Sequence, residues 1–301
     1  MLEKMIRERT AQQERQLETW MAAHDRAHPF PGGVCLTENV PYGDGGPGRR
    51  MDVFRPENGG EGLPVLVNIH GGGFLLGKKE ANRLFCADLC LRGFVVFCVE
   101  YPLVPQTDVF GILRELSCAV DTVEECCAAY GGDPARICLC GDSAGAWLCV
   151  YLAAAQRSAS VAHAAGLTPP RPAIHALGLI SGMFYTDRLD QIGLFLPAYI
   201  YGRGWRRHPF RRYMDPGCPD VAGNLPPAFL VTARGDFLER YSTRFAGALR
   251  KCGAEYELLD IRAEKKLPHA FASMLPETPE AQRANAAMAA FLLEKSVRPN
   301  A

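Results

Sequence analysis

The chain has 301 residues, 48% of them hydrophobic, and its 33 basic and 33 acidic side chains cancel to a formal net charge of zero. That length admits one large α/β domain or two small ones, with apolar material enough for a sizeable core. A balanced charge gives no electrostatic footprint for nucleic acid or an anionic membrane surface, and no run approaches the roughly 18 apolar residues of a membrane span.

Residues 1 to about 28 read as a helix, with Met5, Ile6, Leu17, Trp20 and Met21 scattered among Glu, Gln and Arg. Residues 1–9 are charged and hold no apolar signal core, so the expected compartment is the cytoplasm. A glycine-rich linker covers residues 42–48. Strands follow at 51–54, 64–69, 94–99, 136–140, 176–180, 228–232 and 256–261, several of them nearly all apolar. Continuous apolar strands are buried on both faces, as in a parallel sheet. Helical stretches separate them at about 80–92, 110–130, 144–157, 239–252 and 280–295. This alternation predicts an α/β fold, a mostly parallel doubly wound sheet with helices on both faces. Reactive groups are then expected on loops at the carboxyl ends of the strands.

Residues 183–225 break the alternation and are rich in aromatics, Arg and Pro, including Phe184, Tyr185, Phe195, Tyr199, Tyr201, Trp205, Phe210 and Tyr213. A connection this long is usually functional or a subdomain. The expected organisation is an N-terminal helical segment, 1–45, contributing to a cap, a core of 46–182 and 226–301, and a cap insertion at 183–225. A plain surface insertion is the alternative. Twelve cysteines raise the question of disulfides or zinc, yet no Cys-x-x-Cys pair occurs. They read as small buried hydrophobes suited to a reducing interior.

Two motifs carry chemistry. Gly141-Asp142-Ser143-Ala144-Gly145 lies between a strand and an apolar helix, the setting in which a sharp turn lifts a serine hydroxyl to the head of the helix. A serine so presented is placed to be a nucleophile. His70-Gly71-Gly72-Gly73-Phe74 directly follows the strand at 64–69, and its glycines leave backbone N–H groups uncovered. Two such groups can face a developing oxyanion, with a third from Ala144, the residue after the nucleophile. His70 reads as a loop-orienting residue, and Asp142 as an acceptor of backbone hydrogen bonds.

A serine needs a base, and the base an orienting acid, in chain order Ser, Asp or Glu, His on this class of fold. Of seven histidines, His163, His175, His208 and His269 follow Ser143. His163 and His175 precede the late strands, and His208 sits among arginines in the insertion. His269 lies just beyond the last strand and is the candidate base. Asp236 lies on the loop after the strand at 228–232 and is the candidate acid. Its rivals Asp215 and Asp220 precede that strand, and Glu239 opens the next helix; a helix N-cap is the structural alternative for Asp236.

The chain resembles the hormone-sensitive-lipase-like, HGGG-type carboxylesterase family of α/β-hydrolases over about residues 50–295. The resemblance rests on His70 to Phe74, Gly131-Gly132-Asp133-Pro134-Ala135-Arg136-Ile137, Gly141 to Gly145, Asp236-Phe237-Leu238 and His269-Ala270-Phe271. It implies Ser143 as nucleophile, His269 as base, Asp236 as its partner and Gly72, Gly73 and Ala144 as oxyanion donors, beneath a helical cap. The chain departs from the family at Glu100-Tyr101-Pro102-Leu103-Val104-Pro105-Gln106, where Tyr-Arg-Leu-Ala-Pro-Glu is usual, and at Ala146-Trp147, where a glycine and a polar residue are common.

The expected activity is hydrolysis of short acyl esters, acetyl or butyryl, through an acyl-enzyme. An amidase or formamidase on the same scaffold is the alternative enzyme, and a non-catalytic ligand receptor of this fold the alternative class. The expected partner is a small-molecule ester, with no nucleic acid, no membrane, no cofactor and no metal; the sequence is compatible with a homodimer and does not require one.

Overall fold

The structure is a computed structural model that describes residues 2–46, 48–188, 196–262 and 266–296, with the backbone alone for 2–7. Met5, Ile6 and Phe195 thus have side chains outside the described residues. Eight strands form one sheet: β1 (Val34–Pro41), β2 (Arg50–Pro56), β3 (Leu63–Ile69), β4 (Val95–Val99), β5 (Gly132–Asp142), β6 (Ile174–Ile180), β7 (Ala228–Ala233) and β8 (Tyr256–Ile261). Their spatial order is β1-β2-β4-β3-β5-β6-β7-β8. From β4 to β8 all neighbours are parallel, while β2 pairs antiparallel with both β1 and β4. The helices are α1 (Leu2–Ala27), α2 (Arg83–Leu91), α3 (Val109–Cys126), α4 (Ala144–Arg157), α5 (Ala159–Ala165), α6 (Leu196–Ile200), α7 (Pro219–Ala222), α8 (Glu239–Lys251), α9 (Phe271–Met274) and α10 (Pro279–Lys295).

Side chains alternate across a strand, and here each face meets helices. Val65, Val67 and Ile69 join one core with α3, α4 and α8; Leu66 joins the other with α2 and α10. Burial on both faces is why these strands are continuously apolar. α4 is covered all round, every residue from Ala144 to Ala155 being buried. α8 buries one stripe, Ser242, Phe245, Ala246 and Leu249, at the spacing of a surface helix. The starts of α3 and α10 are capped by Asp108, which accepts from Gly111 N at 2.7 Å, and by Thr278, which accepts from Ala281 N.

The sheet holds one polar residue at its centre. Asn68 on β3 is fully buried, and unmet amide groups there would each cost on the order of 1–3 kcal/mol. The register sets Asn68 beside Cys98 on β4 and Cys140 on β5. Its amide donates to Cys98 Sγ at 3.3 Å, and the Cys140 thiol donates to its Oδ1 at 3.4 Å. All twelve cysteines are free, but these two are hydrogen-bonding partners as well as apolar filler.

Two features differ from the sequence reading. Residues 34–41, grouped there with an N-terminal helical segment, are β1, an edge strand of the core sheet. Most of its side chains are exposed, and a register shift between Thr37 and Val40, with Asn39 at φ 60°, breaks its alternation. Second, the aromatics of 183–225 mostly turn inward. Phe184, Tyr185, Tyr201, Trp205, Phe210 and Tyr213 are buried. The Phe210 ring lies 5.2 Å from Phe110 on α3 and 5.0 Å from Tyr151 on α4. Trp147, the departure noted above, joins this cluster through Phe74 at 5.3 Å and Tyr151 at 4.1 Å.

At the end of β4, Glu100 accepts from Lys79 N at 2.9 Å, and burial pushes its carboxyl up to about 7 from an ordinary 4.5. Between those values the folded protein keeps a proton that the unfolded chain has released. The unfolded state therefore binds fewer protons, and stability falls as pH rises from about 4.5 to 7, with the penalty fully present above 7. Glu100→Gln should flatten this fall, read as urea midpoints at pH 5 and pH 8; equal pH dependence in both proteins would refute it. The α4–sheet junction gives a second test. A Cβ on Gly145 would lie 1.9 Å from Ile69 O, whereas one on Gly178 would meet the flexible Met288 Sδ at 2.7 Å. Gly145→Ala should cost about 3 kcal/mol or more in denaturant unfolding and Gly178→Ala clearly less.

Candidate active site

The site begins where β5 passes into α4. Ser143 has φ 52° and ψ −113°, a conformation that costs a side-chain-bearing residue about 1–3 kcal/mol. The end of β6 holds it there: Ser143 N donates to Ile180 O at 2.9 Å, and Ser143 O accepts from Met183 N at 2.9 Å. Ala144 opens α4, so its N–H belongs to the first turn, whose donors lack intrahelical partners and carry the positive end of the helix dipole.

Beside it runs the turn after β3. Gly72 has φ +117°, and a Cβ there would stand 1.8 Å from Leu76 O, so only glycine fits. Leu75 N and Leu76 N both donate to Gly72 O at 3.1 Å, closing the turn. His70 is buried; its Nδ1–H meets Gly71 O at 2.8 Å, and its ring stacks on Tyr101 at 4.3 Å. The Tyr101 hydroxyl donates to His70 O at 2.6 Å. Burial holds the His70 imidazole below its ordinary range, so it stays neutral and orients the loop. Asp142, whose carboxyl burial pushes up, accepts from Asn82 Nδ2 at 2.8 Å and Gly71 N at 3.2 Å. It fastens the glycine turn to the serine turn.

Two loops from the far side of the sheet bring the remaining candidates together. Asp236 follows β7 and is buried, and its Oδ1 accepts from Leu238 N at 2.8 Å. His269 follows β8, with Nδ1 2.8 Å from the same oxygen. A bond of this charge-assisted kind contributes about 1.5–3 kcal/mol, and it leaves Nε2 as the nitrogen available to the cavity. The next residue, Ala270, has φ 55°, and its N–H donates to Ser181 Oγ at 3.2 Å, which anchors the histidine loop to the end of β6. Glu239 opens α8, as expected.

Ser143, Gly72, Gly73 and His269 line one cavity of about 410 Å³, within the size range of small-molecule sites. Asp236 lies behind His269, and Ala144 presents its first-turn amide from a fully buried position. The apolar part of the wall is aliphatic and thioether, Leu17 of α1, Leu75, Leu76, Met183, Leu196 and Met274, while Gln13, His70, Asn82 and Asp142 add polar groups. An apolar pocket was expected, but from the aromatics of 183–225; none of those in the described residues lines it. The aromatic at the rim is Phe237, 70% exposed, with its ring 4.4 Å from that of His269. Ser181 and Asn82 had no motif to mark them, since each acts through a contact distant in sequence. Among the described residues, the side chains able to ligate a metal together lie outside this cavity, at His24, His28 and Glu277.

Comparison with known proteins bears on this geometry. A family model described as the alpha/beta hydrolase fold matches residues 66–273. Carboxylesterase NlhH of Mycobacterium tuberculosis is 30% identical over 239 residues, covering 77% of this chain and 74% of that protein. A probable isoprenylcysteine alpha-carbonyl methylesterase of rice is 28% identical over 239 residues, 74% of this chain. The chain spans about half the length of such plant relatives, 56% of the rice protein. Esterase B of Lactobacillus rhamnosis superposes with a TM-score of 0.84 over 96% of both chains at 21% identity, a likeness of fold. Through the matched span, the shared sheet and the two glycine motifs, the chain belongs to the hormone-sensitive-lipase-like family of α/β-hydrolases.

Proposed function

We propose that this chain is a serine carboxylesterase that cleaves short-chain acyl esters through Ser143, His269 and Asp236. The observation that carries the reading is the 2.8 Å contact of His269 Nδ1 with the buried Asp236 carboxylate, with the imidazole and Ser143 on the wall of one cavity. In this reading His269 Nε2 takes the hydroxyl proton as Ser143 Oγ bonds to the ester carbonyl carbon. The carbonyl oxygen becomes an oxyanion against the N–H groups of Gly72, Gly73 and Ala144. The imidazolium, stabilised by Asp236, returns the proton to the leaving alcohol as its C–O bond breaks. Water then repeats the sequence on the acyl-enzyme and frees the acid. Residues 183–225 and α1 act as the cap, since Met183, Leu196, Gln13 and Leu17 face the same cavity.

The preference for short acyl groups rests on the cavity's modest volume and its Leu and Met walls. The fold neighbour esterase B, 22% identical, is known inhibited by a C4-C4 tributyrin phosphonate, and a four-carbon acyl group is of the size this reading requires. A second reading comes from the plant relatives: a methyl ester whose bulk lies on the acyl side, as in an isoprenylcysteine methyl ester.

Ser143→Ala should lower turnover of p-nitrophenyl butyrate by about 10⁴-fold or more, and Asp236→Asn by about 10⁴-fold, with far-ultraviolet dichroism unchanged in each. Retention of most activity by the serine variant would end the assignment. Across p-nitrophenyl esters, kcat/KM should peak at two to about four acyl carbons; a maximum beyond about ten, or faster turnover of an S-prenyl cysteine methyl ester, shifts the reading to the second. Anilide analogues should turn over far more slowly than esters; the reverse order makes the chain an amidase.

A further inference from the structure

We propose that His24, His28 and Glu277 form a site for a divalent transition-metal ion that latches α1 to the segment carrying His269. The three residues approach closely enough that one atom from each lies within 4.8 Å of the others. His24 is in the last turn of α1 and His28 is the residue just past its end, where its N–H still donates to His24 O at 2.8 Å; the two rings therefore share one side, with centroids 4.7 Å apart. Glu277 comes from the turn between α9 and α10. Its Oε2 is 3.2 Å from His24 Nε2, and its Oε1 3.7 Å from His28 Nε2. Donors bonded at about 2.0–2.1 Å to one tetrahedral ion stand about 3.3 Å apart, so small side-chain movements suffice. The Trp20 ring stacks on His24 at 4.8 Å and 20° and holds that imidazole in place. Two imidazoles and one carboxylate select ions of the zinc, cobalt and nickel kind over magnesium or calcium, whose ligands are oxygens. Three protein ligands leave a further position for water.

The position gives the latch a consequence. Among the described side chains of α1, Met21 alone is buried, and an exposed ion pair, Glu18 with Lys78 at 3.2 Å, contributes little. Yet Gln13 and Leu17 of this weakly held helix line the cavity. Glu277 lies just beyond α9, which carries Met274 of the same wall and starts two residues after His269. Metal bonds here would fix the roof to the wall. No metal motif stood out in the sequence because the third ligand is remote along the chain. The site does not depend on the esterase reading.

The test uses the full chain, stripped with chelator, kept reduced and titrated with cobalt(II) chloride. We expect one equivalent to bind with visible d–d bands and no thiolate charge-transfer band, and zinc(II) to displace it. His28→Gln, at a half-exposed position that spares the fold, and Glu277→Gln should each weaken binding more than about tenfold. Amide exchange in α1 should slow with metal in the parent protein and not in His28→Gln. A thiolate charge-transfer band, equal affinity in both variants, or exchange in α1 indifferent to metal would overturn the proposal.

Discussion

The peptide at Ser143 is the constraint on which the rest of the site depends. Strand β5 must stop, reverse and enter α4 within one residue, and Gly145 permits this because α4 then lies against β3 closer than any Cβ would allow. The unfavourable φ of 52° is offset by two backbone hydrogen bonds to the chain around the end of β6 and by the complete burial of the first three turns of α4. Because β3, β5, β6, β7 and β8 run parallel, their carboxyl ends lie at one edge of the sheet. The glycine turn, the serine, the aspartate and the histidine are therefore neighbours in space while spread along the chain. Strand order does the assembling; each loop needs only to be short.

Environment, more than residue type, separates the roles of chemically identical groups. His70 and His269 both make a 2.8 Å contact through Nδ1. His70 spends it on its own loop and is sealed under Tyr101, so burial keeps it neutral and inert. His269 directs it to a buried carboxylate and keeps about a quarter of its side chain exposed. The carboxylates divide in the same way. Asp142 has its oxygen filled by an amide side chain and a backbone N–H, which makes it a brace between two turns. Asp236 accepts one backbone N–H and an imidazole, the arrangement that fixes a tautomer and stabilises an imidazolium.

Much of this was legible in the residues because the central strands are nearly all apolar, Asn68 apart, and the glycine motifs have few other uses. Apolar runs located β3 to β7 to within a few residues, and chain order singled out Asp236 and His269. β1 was not legible: it is an edge strand with mostly wet side chains and a bulge at Asn39, so neither periodicity nor composition marks it. α5 is a helix of seven residues, about two turns, that follows α4 where Ser158 ends one helix and caps the next, and its short Ala-rich sequence does not mark it as a separate element. Ser181 carries no signature because its hydroxyl serves a residue far along the chain. The aromatics of 183–225 misled in an instructive way. Aromatic side chains bury large areas, and Phe184, Tyr185, Tyr201, Trp205, Phe210 and Tyr213 are buried in the core, so these six do not line the pocket.

That last point bears on where substrate choice resides. The Leu and Met side chains of the wall have adaptable shape, unlike a box of stacked rings, and they come from elements of unequal stability. Leu75, Leu76 and Gly72 belong to a turn tied into the sheet, whereas Leu17 and Gln13 belong to a helix with a single buried anchor among its described side chains. Segments with few buried contacts open at the lowest free energy. The floor of the cavity, with Ser143 and the glycine turn, is thus built on elements tied into the sheet, and α1 beside it is held by few buried contacts. Such a division lets α1 shift without disturbing the contact of His269 with Asp236 or the turn at Ser143 beneath it.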